Sequence, residues 1–337
     1  MARLSEEFLL AWSSLSGNES LPGWSAISLP PAGPVEVQAG RRSPTNSEAV
    51  LFCFPYVALA RSEKLPEGKG FLVERADSVA DKGVRLALSR RAEGSPELFA
   101  SMVCDVVGAL DEAVAGGGSE VQLLRVLIRR VIAWQRFMSR GNPYLGAETE
   151  LGLAGELIFL TMLLDLNITS DLVLSAWVGP DDAPQDFLLG YGAIEVKATM
   201  SSSGFPVKIG SLEQLDDTVA SPLFLAALRF ASREEGLSLP EIISGVEHRL
   251  GGDSGAVNIF REKLLAAGYS DAHSIQYSRK FELKEIRVLA VSEGFPRLTP
   301  GAVPNGVTRA LYEINLDHAQ DFLSDLDAAL ELLGVIA

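Results

Sequence analysis

The sequence predicts an α/β (α+β) fold, a mixed sheet flanked by helices and preceded by a small β-rich module, and three observations predict it. Short apolar runs bounded by Gly, Pro and polar residues recur along the chain as strands do. Between them lie longer stretches whose apolar residues repeat at helical spacing. Near the middle, Pro184-Gln185-Asp186 precedes Ala193-Ile194-Glu195-Val196-Lys197-Ala198-Thr199, an acid followed by an acid and a lysine two residues apart on adjacent strands. Helices covering a mixed sheet make a layered arrangement.

Taken in order, Leu4, Phe8, Leu9 and Trp12 mark a short opening helix from Arg3 to Leu15, stopped by Gly17-Asn18. Residues 21–47 are rich in Pro, Gly and Ser. Val50–Phe54, Gly70–Glu74 and Val84–Leu88 read as the strands of the N-terminal module. Helices are expected over 96–115 and 119–140, joined through Gly116-Gly117-Gly118 with Ser119 as N-cap. The second carries Arg125, Arg129, Arg130, Arg136 and Arg140 with Trp134 and Phe137 interleaved. A helix over about 148–166 follows, then strands at 171–177, 185–189, 192–199, 205–210 and 223–230. Further on come helices at 239–250 and 254–267, strands at 286–292 and 308–315, and a last helix over 318–335. The division is 1–141 for a β-rich and helical accessory module and 142–337 for the region holding the acids.

Composition narrows the function classes. A chain of 337 residues exceeds one ordinary domain, and 47% hydrophobic residues exclude a disordered protein. A net charge of -15 argues against a free-standing, non-specific DNA binder, which would carry a basic surface to displace counterions from phosphates. Cys53 and Cys104 are the only cysteines, in keeping with a reducing cytoplasm, and His248, His273 and His318 lack paired zinc-ligand spacing. The run Phe8-Leu9-Leu10-Ala11-Trp12 is too short for a signal peptide or a membrane span, so a cytoplasmic protein without a membrane partner is expected. There is no P-loop and no dinucleotide fingerprint. Gly252-Asp253-Ser254-Gly255 mimics a serine-protease nucleophile loop, but no His segment accompanies it, and Asp253 or Ser254 more simply caps the following helix.

The chemistry centres on Asp186, Glu195 and Lys197. Side chains at i and i+2 of a strand share a face, so Glu195 and Lys197 point one way while Ile194, Val196 and Ala198 point the other and pack. Charges on an otherwise apolar segment cost desolvation energy that a cation and a phosphate together would offset. Mg²⁺ is held by one or two carboxylates plus water and phosphate oxygens at about 2.0 to 2.1 Å. Asp186 and Glu195 supply the carboxylates, with the Val196 carbonyl as a further oxygen, and Mn²⁺ is a possible substitute. Lys197 would orient the attacking water and stabilise the developing charge. Arg129, Arg130 and Arg136 are the basic candidates for phosphate binding, against the bland alternative of a solvated face or of partners for this chain's many acids.

In this order Gly155-Glu156-Leu157, Trp177-Val178-Gly179-Pro180, Asp186-Phe187, Glu195-Val196-Lys197 and Gln214-Leu215-Asp216 resemble the PD-(D/E)XK nuclease superfamily, whose fold is restriction-endonuclease-like. They are most similar to bacterial proteins known simply as PD-(D/E)XK motif proteins. The detailed resemblance runs from Gly152 to Asp217, and Gln185 separates Pro184 from Asp186 where the motif's name has them adjacent. The resemblance implies an outer or second-site metal ligand at Glu156. For Gln214, at the start of a helix, it implies a role in orienting Lys197 or a phosphate. It also implies a Mg²⁺-dependent DNA endonuclease in prokaryotic restriction or anti-phage defence. Such an enzyme would act as a homodimer or beside an ATPase or DNA-recognition partner. The rivals are an inactive nuclease-fold subunit serving DNA recognition or assembly, and a repair nuclease.

Overall fold

A computed structural model describes residues 5–15, 23–60, 62–76, 83–139, 144–181 and 183–336. The expected stop at Gly17-Asn18 and Arg140 lie outside the described residues. The chain divides into two compact units, one of Met1–Pro143 with Val257–Gly268 and one of Tyr144–Ala256 with Tyr269–Ala337. The segment 257–268, which sequence alone leaves within the 142–337 region, thus belongs with the first unit.

The first unit opens with α1 (Ser5–Ser14), which buries Phe8 and Trp12. Five antiparallel strands follow, β1 (Gly23–Ala32), β2 (Val35–Ser43), β3 (Ser47–Phe54), β4 (Phe71–Arg75) and β5 (Val84–Arg90), in the order β1-β2-β3-β5-β4. The first two occupy the Pro-, Gly- and Ser-rich segment 21–47, where the sequence reading names no strand. β2 alternates buried Val35, Val37 and Ala39 with more exposed residues, the signature of a half-buried strand. β1 tolerates Pro30 and Pro31 because it is an edge strand with an irregular register near them. Helices α2 (Pro96–Ala115), capped by Ser95, and α3 (Glu120–Ser139) bury apolar residues in the same core, where Leu265 joins them.

The arginines of α3 part company. Arg129 and Arg136 are exposed, whereas Arg130 is 1% exposed. Its Nε lies 3.1 Å from Asp105 Oδ2, and its terminal nitrogens donate to the carbonyl and Oδ1 of Asn258 at 3.3 and 3.2 Å. Trp134 Nε1 donates to the same Asp105 oxygen at 2.7 Å. Arg130 is therefore an internal brace, and its expected part in phosphate binding is corrected, because both ends of its guanidinium are taken and solvent does not reach it.

The second unit starts with α4 (Ala147–Asp165) and α5 (Ser170–Ala176). The latter was expected as a strand over 171–177. Of its apolar residues, Val173, Leu174 and Ala176 are buried while Leu172 is exposed, and so short a run does not distinguish strand from helix by periodicity. Then come β6 (Phe187–Leu189), β7 (Gly192–Thr199), β8 (Pro206–Ile209), β9 (Leu223–Ala231), α6 (Leu239–Leu250), β10 (Glu282–Ala290), β11 (Tyr312–Asn315) and β12 (Leu323–Ser324). The main sheet runs β12-β10-β9-β7-β6, with β7 and β9 parallel and the other neighbours antiparallel. β8 and β11 form a separate two-stranded sheet. The last helix spans only Leu326–Leu332, since residues 316–318 and 320–322 make 3₁₀ turns and β12 intervenes. Mixed helices and sheets of this kind make the α+β architecture that the patterning predicts.

Both faces of β7 are covered. Phe187, cross-strand from Ile194, meets Phe159 of α4 edge to face at 5.2 Å. A Cβ on Gly155 would approach the Ala198 methyl to 3.0 Å, so Gly155 is what lets α4 lie close on this face. Ala193, Leu225 and Ala227 share the other face with Glu195 and Lys197, where Phe205, Val207, Ile209 and Leu215 cluster with them. Glu195 is thus fully buried rather than set on a wet strand surface.

Arg130→Ala should lower the stability of the first unit by about 3 kcal/mol, the scale for removing one partner of a buried pair. Arg129→Ala should stay within about 0.5 kcal/mol, as an exposed change does. Urea unfolding followed by tryptophan fluorescence checks this, and equal effects of the two changes would remove Arg130 from the core of the argument.

Candidate active site at the end of β6

The site exists because a strand stops. β6 ends its pairing with β7 at Phe187–Ile194, leaving the next backbone groups of β7 without a neighbour on that side. The side chain of Asp186 fills the place, with the Val196 N–H donating to Asp186 Oδ2 at 2.8 Å. The Asp186 carbonyl in turn accepts the N–H groups of Val178 and Gly179 at 2.8 and 3.0 Å. Trp177, bridged to Phe187, points its indole at α4, where Nε1 donates to Glu156 Oε2 at 2.7 Å. Lys197 Nζ lies 2.5 Å from Glu195 Oε1, and Glu195 Oε2 is buried without a hydrogen-bond partner. Glu156, Asp186, Glu195 and Lys197, spread over 42 positions of sequence, interact electrostatically in one place.

Their protonation follows from that crowding. Burial, reinforced by the Asp186 charge and opposed by the Trp177 hydrogen bond and Lys197, pushes Glu156 up to about 8. Burial also raises Asp186, against the pull of Lys197 and of the Val196 N–H. Glu195 is driven well above the usual carboxylate range by burial and then by Asp186. Burial alone would lower Lys197, but the charges of Glu195, Asp186 and Glu156 outweigh it and raise the ammonium. One cation faces three acids at a site poorly solvated for charge, so without a bound cation the cluster keeps protons that exposed carboxylates would have lost.

Other expected residues fall differently. Residues 211–216 do not form a helix, and Gln214 Oε1 accepts the Gly210 N–H at 2.7 Å. The expectation of Gln214 at a helix N-terminus is corrected, since its amide oxygen is used to close a local turn. The neighbouring Gln185, passed over as an interruption of the motif, is 2% exposed and donates through Nε2 to the Glu213 carbonyl at 2.9 Å. Trp177 and Gly179 were legible only as letters of the Trp-x-Gly-Pro match. Their use as a donor to Glu156 and as a side-chain-free approach to the acids needs the fold. Asp253 Oδ1 accepts the N–H groups of Gly255 and Ala256 at 3.0 and 3.1 Å, so this loop is the expected helix cap. Cys53 and Cys104 form no disulfide. Among the described residues, no three His, Cys, Asp or Glu side chains are already gathered as a metal cage, and no helix is long and apolar enough to cross a membrane.

The raised acids make stability depend on pH. An unfolded glutamate releases its proton near 4.5, and folded Glu156 does so near 8, so between these values the folded chain holds the extra proton. Stability should fall as pH rises through that window, by up to about 1.4 kcal/mol per pH unit for one group. Glu156→Gln should flatten the slope and stabilise the metal-free protein at pH 8. A melting series from pH 5 to pH 9 in EDTA checks this, and an unchanged slope in the variant would mean that Glu156 does not carry the proton.

Comparison with known families matches residues 9–317 to a family described as "Putative PD-(D/E)XK family member, (DUF4420)". Neither a curated protein nor a solved structure matches. The match spans most of the chain, including α4, the Trp177–Gly179 segment, Asp186 and the Glu195–Lys197 strand, and the protein therefore belongs to the DUF4420 family of PD-(D/E)XK relatives.

Proposed function

We propose that this chain is a metal-dependent DNA endonuclease whose site is the Glu156, Asp186, Glu195 and Lys197 cluster. The observation that carries the reading is the crowding of three buried carboxyl groups beside one lysine, with Glu195 Oε2 lacking a hydrogen-bond partner. Hydrophobic packing has no use for such an arrangement, and a divalent cation would offset it. The donor set fits Mg²⁺, with Mn²⁺ as a substitute. Asp186 and Glu195 are the one or two carboxylates that Mg²⁺ needs, the Val196 carbonyl is an added oxygen, Glu156 lies in support, and water and phosphate complete the shell. Bound there, the ion supplies Lewis acidity toward the phosphate and a lowered pKa for the attacking water.

The protein's own part is positional. Glu195 holds Lys197 Nζ at 2.5 Å, so the ammonium is fixed where it can donate to the attacking water and to the phosphate oxygen that gains charge. The Val196 N–H holds one Asp186 oxygen and leaves the other for the ion. Apolar cover around β7 keeps bulk water from competing. No histidine base is required. We propose a setting in prokaryotic restriction or antiviral defence, in the cytoplasm, as the motif resemblance implies. The exposed Arg129 and Arg136 remain the candidates for contacts with DNA phosphates.

Plasmid cleavage with Mg²⁺, Mn²⁺ or EDTA tests the assignment. Asp186→Ala, Glu195→Ala and Lys197→Ala should each lower the rate by about 10²-fold or more while the protein stays folded. Wild-type cleavage by the Glu195 variant would sink it, and folded protein inert with every DNA form would favour an inactive recognition subunit. Saturating Mg²⁺ should raise the melting temperature, by about 2.7 kcal/mol of stability at a hundredfold excess over the dissociation constant. Asp186→Asn should abolish that shift.

At a net charge of -15 the isolated chain should bind DNA weakly, and more weakly as salt rises. Cutting both strands from one such site calls for a two-fold dimer, repeated nicking, or an ATPase or recognition partner. Efficient double-strand cutting without a nicked intermediate by a strict monomer at about 0.15 M salt, with mass set by light scattering, would overturn this.

A further inference from the structure

We infer that the segment Trp177–Gly179 is a positioning element that sets Glu156 against Asp186, and that Gly179 lacks a side chain so that a divalent cation can lie between the two acids. The inference rests on the metal-dependent reading above and concerns residues that never touch the water or the scissile bond. Three consecutive residues hold two acids that come from different elements. Trp177 takes Glu156 through its indole N–H at 2.7 Å, and the backbone N–H groups of Val178 and Gly179 take the Asp186 carbonyl at 2.8 and 3.0 Å. The Trp177–Phe187 bridge ties the segment to the start of β6.

Gly179 is not there for its backbone. It opens a short 3₁₀ turn, Gly179–Asp181, and its φ lies outside the left-handed region, so an alanine could adopt the same conformation. A Cβ at this position would instead lie 2.8 Å from Asp186 Oδ1 and 3.1 Å from Glu156 Oε2. Both atoms are the far ends of side chains and can swing away. Doing so breaks the hydrogen bonds from Val196 and Trp177 that aim them, which leaves the fold intact and scatters the ligands. The volume kept clear by Gly179 is therefore bounded by one oxygen of each acid, and its chemistry is that of a hard cation or of an ordered water in its shell.

The test is Mn²⁺ binding to the full-length protein, followed by electron paramagnetic resonance, with melting temperatures in EDTA beside it. Trp177→Phe keeps the ring without the donor, and Gly179→Ala adds one methyl. Gly152→Ala, on the same helix as Glu156 but with open space around it, is the control. Trp177→Phe and Gly179→Ala should each weaken Mn²⁺ by about 10-fold or more, the scale for groups that orient ligands. Metal-free melting should stay near wild type in Gly179→Ala and fall in Trp177→Phe, which shrinks a fully buried side chain, and Gly152→Ala should bind as wild type does. Wild-type Mn²⁺ affinity in both variants overturns the inference and leaves the metal reading standing. Loss of metal-free stability in Gly179→Ala in step with affinity also overturns it, since the role would then be structural. A wild-type protein that takes up no Mn²⁺ overturns the metal reading and this inference together.

Discussion

The confinement of three carboxylates around a single ammonium, in a place that solvent scarcely reaches, is the constraint from which the rest of the second unit can be understood. Burial first, and for Glu156 and Glu195 the neighbouring Asp186 charge next, lifts the acids above their ordinary pKa values, while the acids' charges raise the lysine against its burial. Such a site destabilises the folded chain at neutral and higher pH, and the surrounding structure must hold it together. It does so with backbone: the Val196 N–H on Asp186, the Val178 and Gly179 N–H groups behind it, and the apolar faces of β7 above and below. Strain of this kind concentrates where chemistry is done.

The same economy explains why β6 is short. Had it continued past Phe187, the Val196 N–H would have entered a regular ladder and Asp186 would have lost the anchor that aims it. Ending the strand converts a sheet edge, ordinarily a liability, into an oriented carboxylate. The α4 helix can then bring Glu156 to that edge because Gly155 permits its close approach over Ala198.

The first unit shows a different use of charge. Arg130 and Trp134 are buried against the half-buried Asp105, and Arg130 also against the half-buried Asn258, while Arg129 and Arg136 are exposed. Adjacent arginines on one helix thus serve separate ends, since neighbours in sequence are about 100° apart around a helix of 3.6 residues per turn.

The sequence by itself determined the α+β class, the family likeness and the order of acid, acid and lysine. These follow from local periodicity and from residue types at fixed offsets, which the chain carries regardless of how it folds. Most helices were legible for the same reason, as was the cap at Asp253. Only the tertiary structure decided that 171–177 is helical, that β1 and β2 complete the first sheet, that Gln214 closes a turn, that Arg130 is internal and that residues 257–268 pack with the first unit. Each of these depends on which partner a segment meets far away in sequence, and a short apolar run or a single polar residue does not encode its partner. Trp177 and Gly179 make the point most plainly: one hydrogen bond to Glu156 and one missing methyl group acquire meaning only when α4 and the start of β6 are brought together.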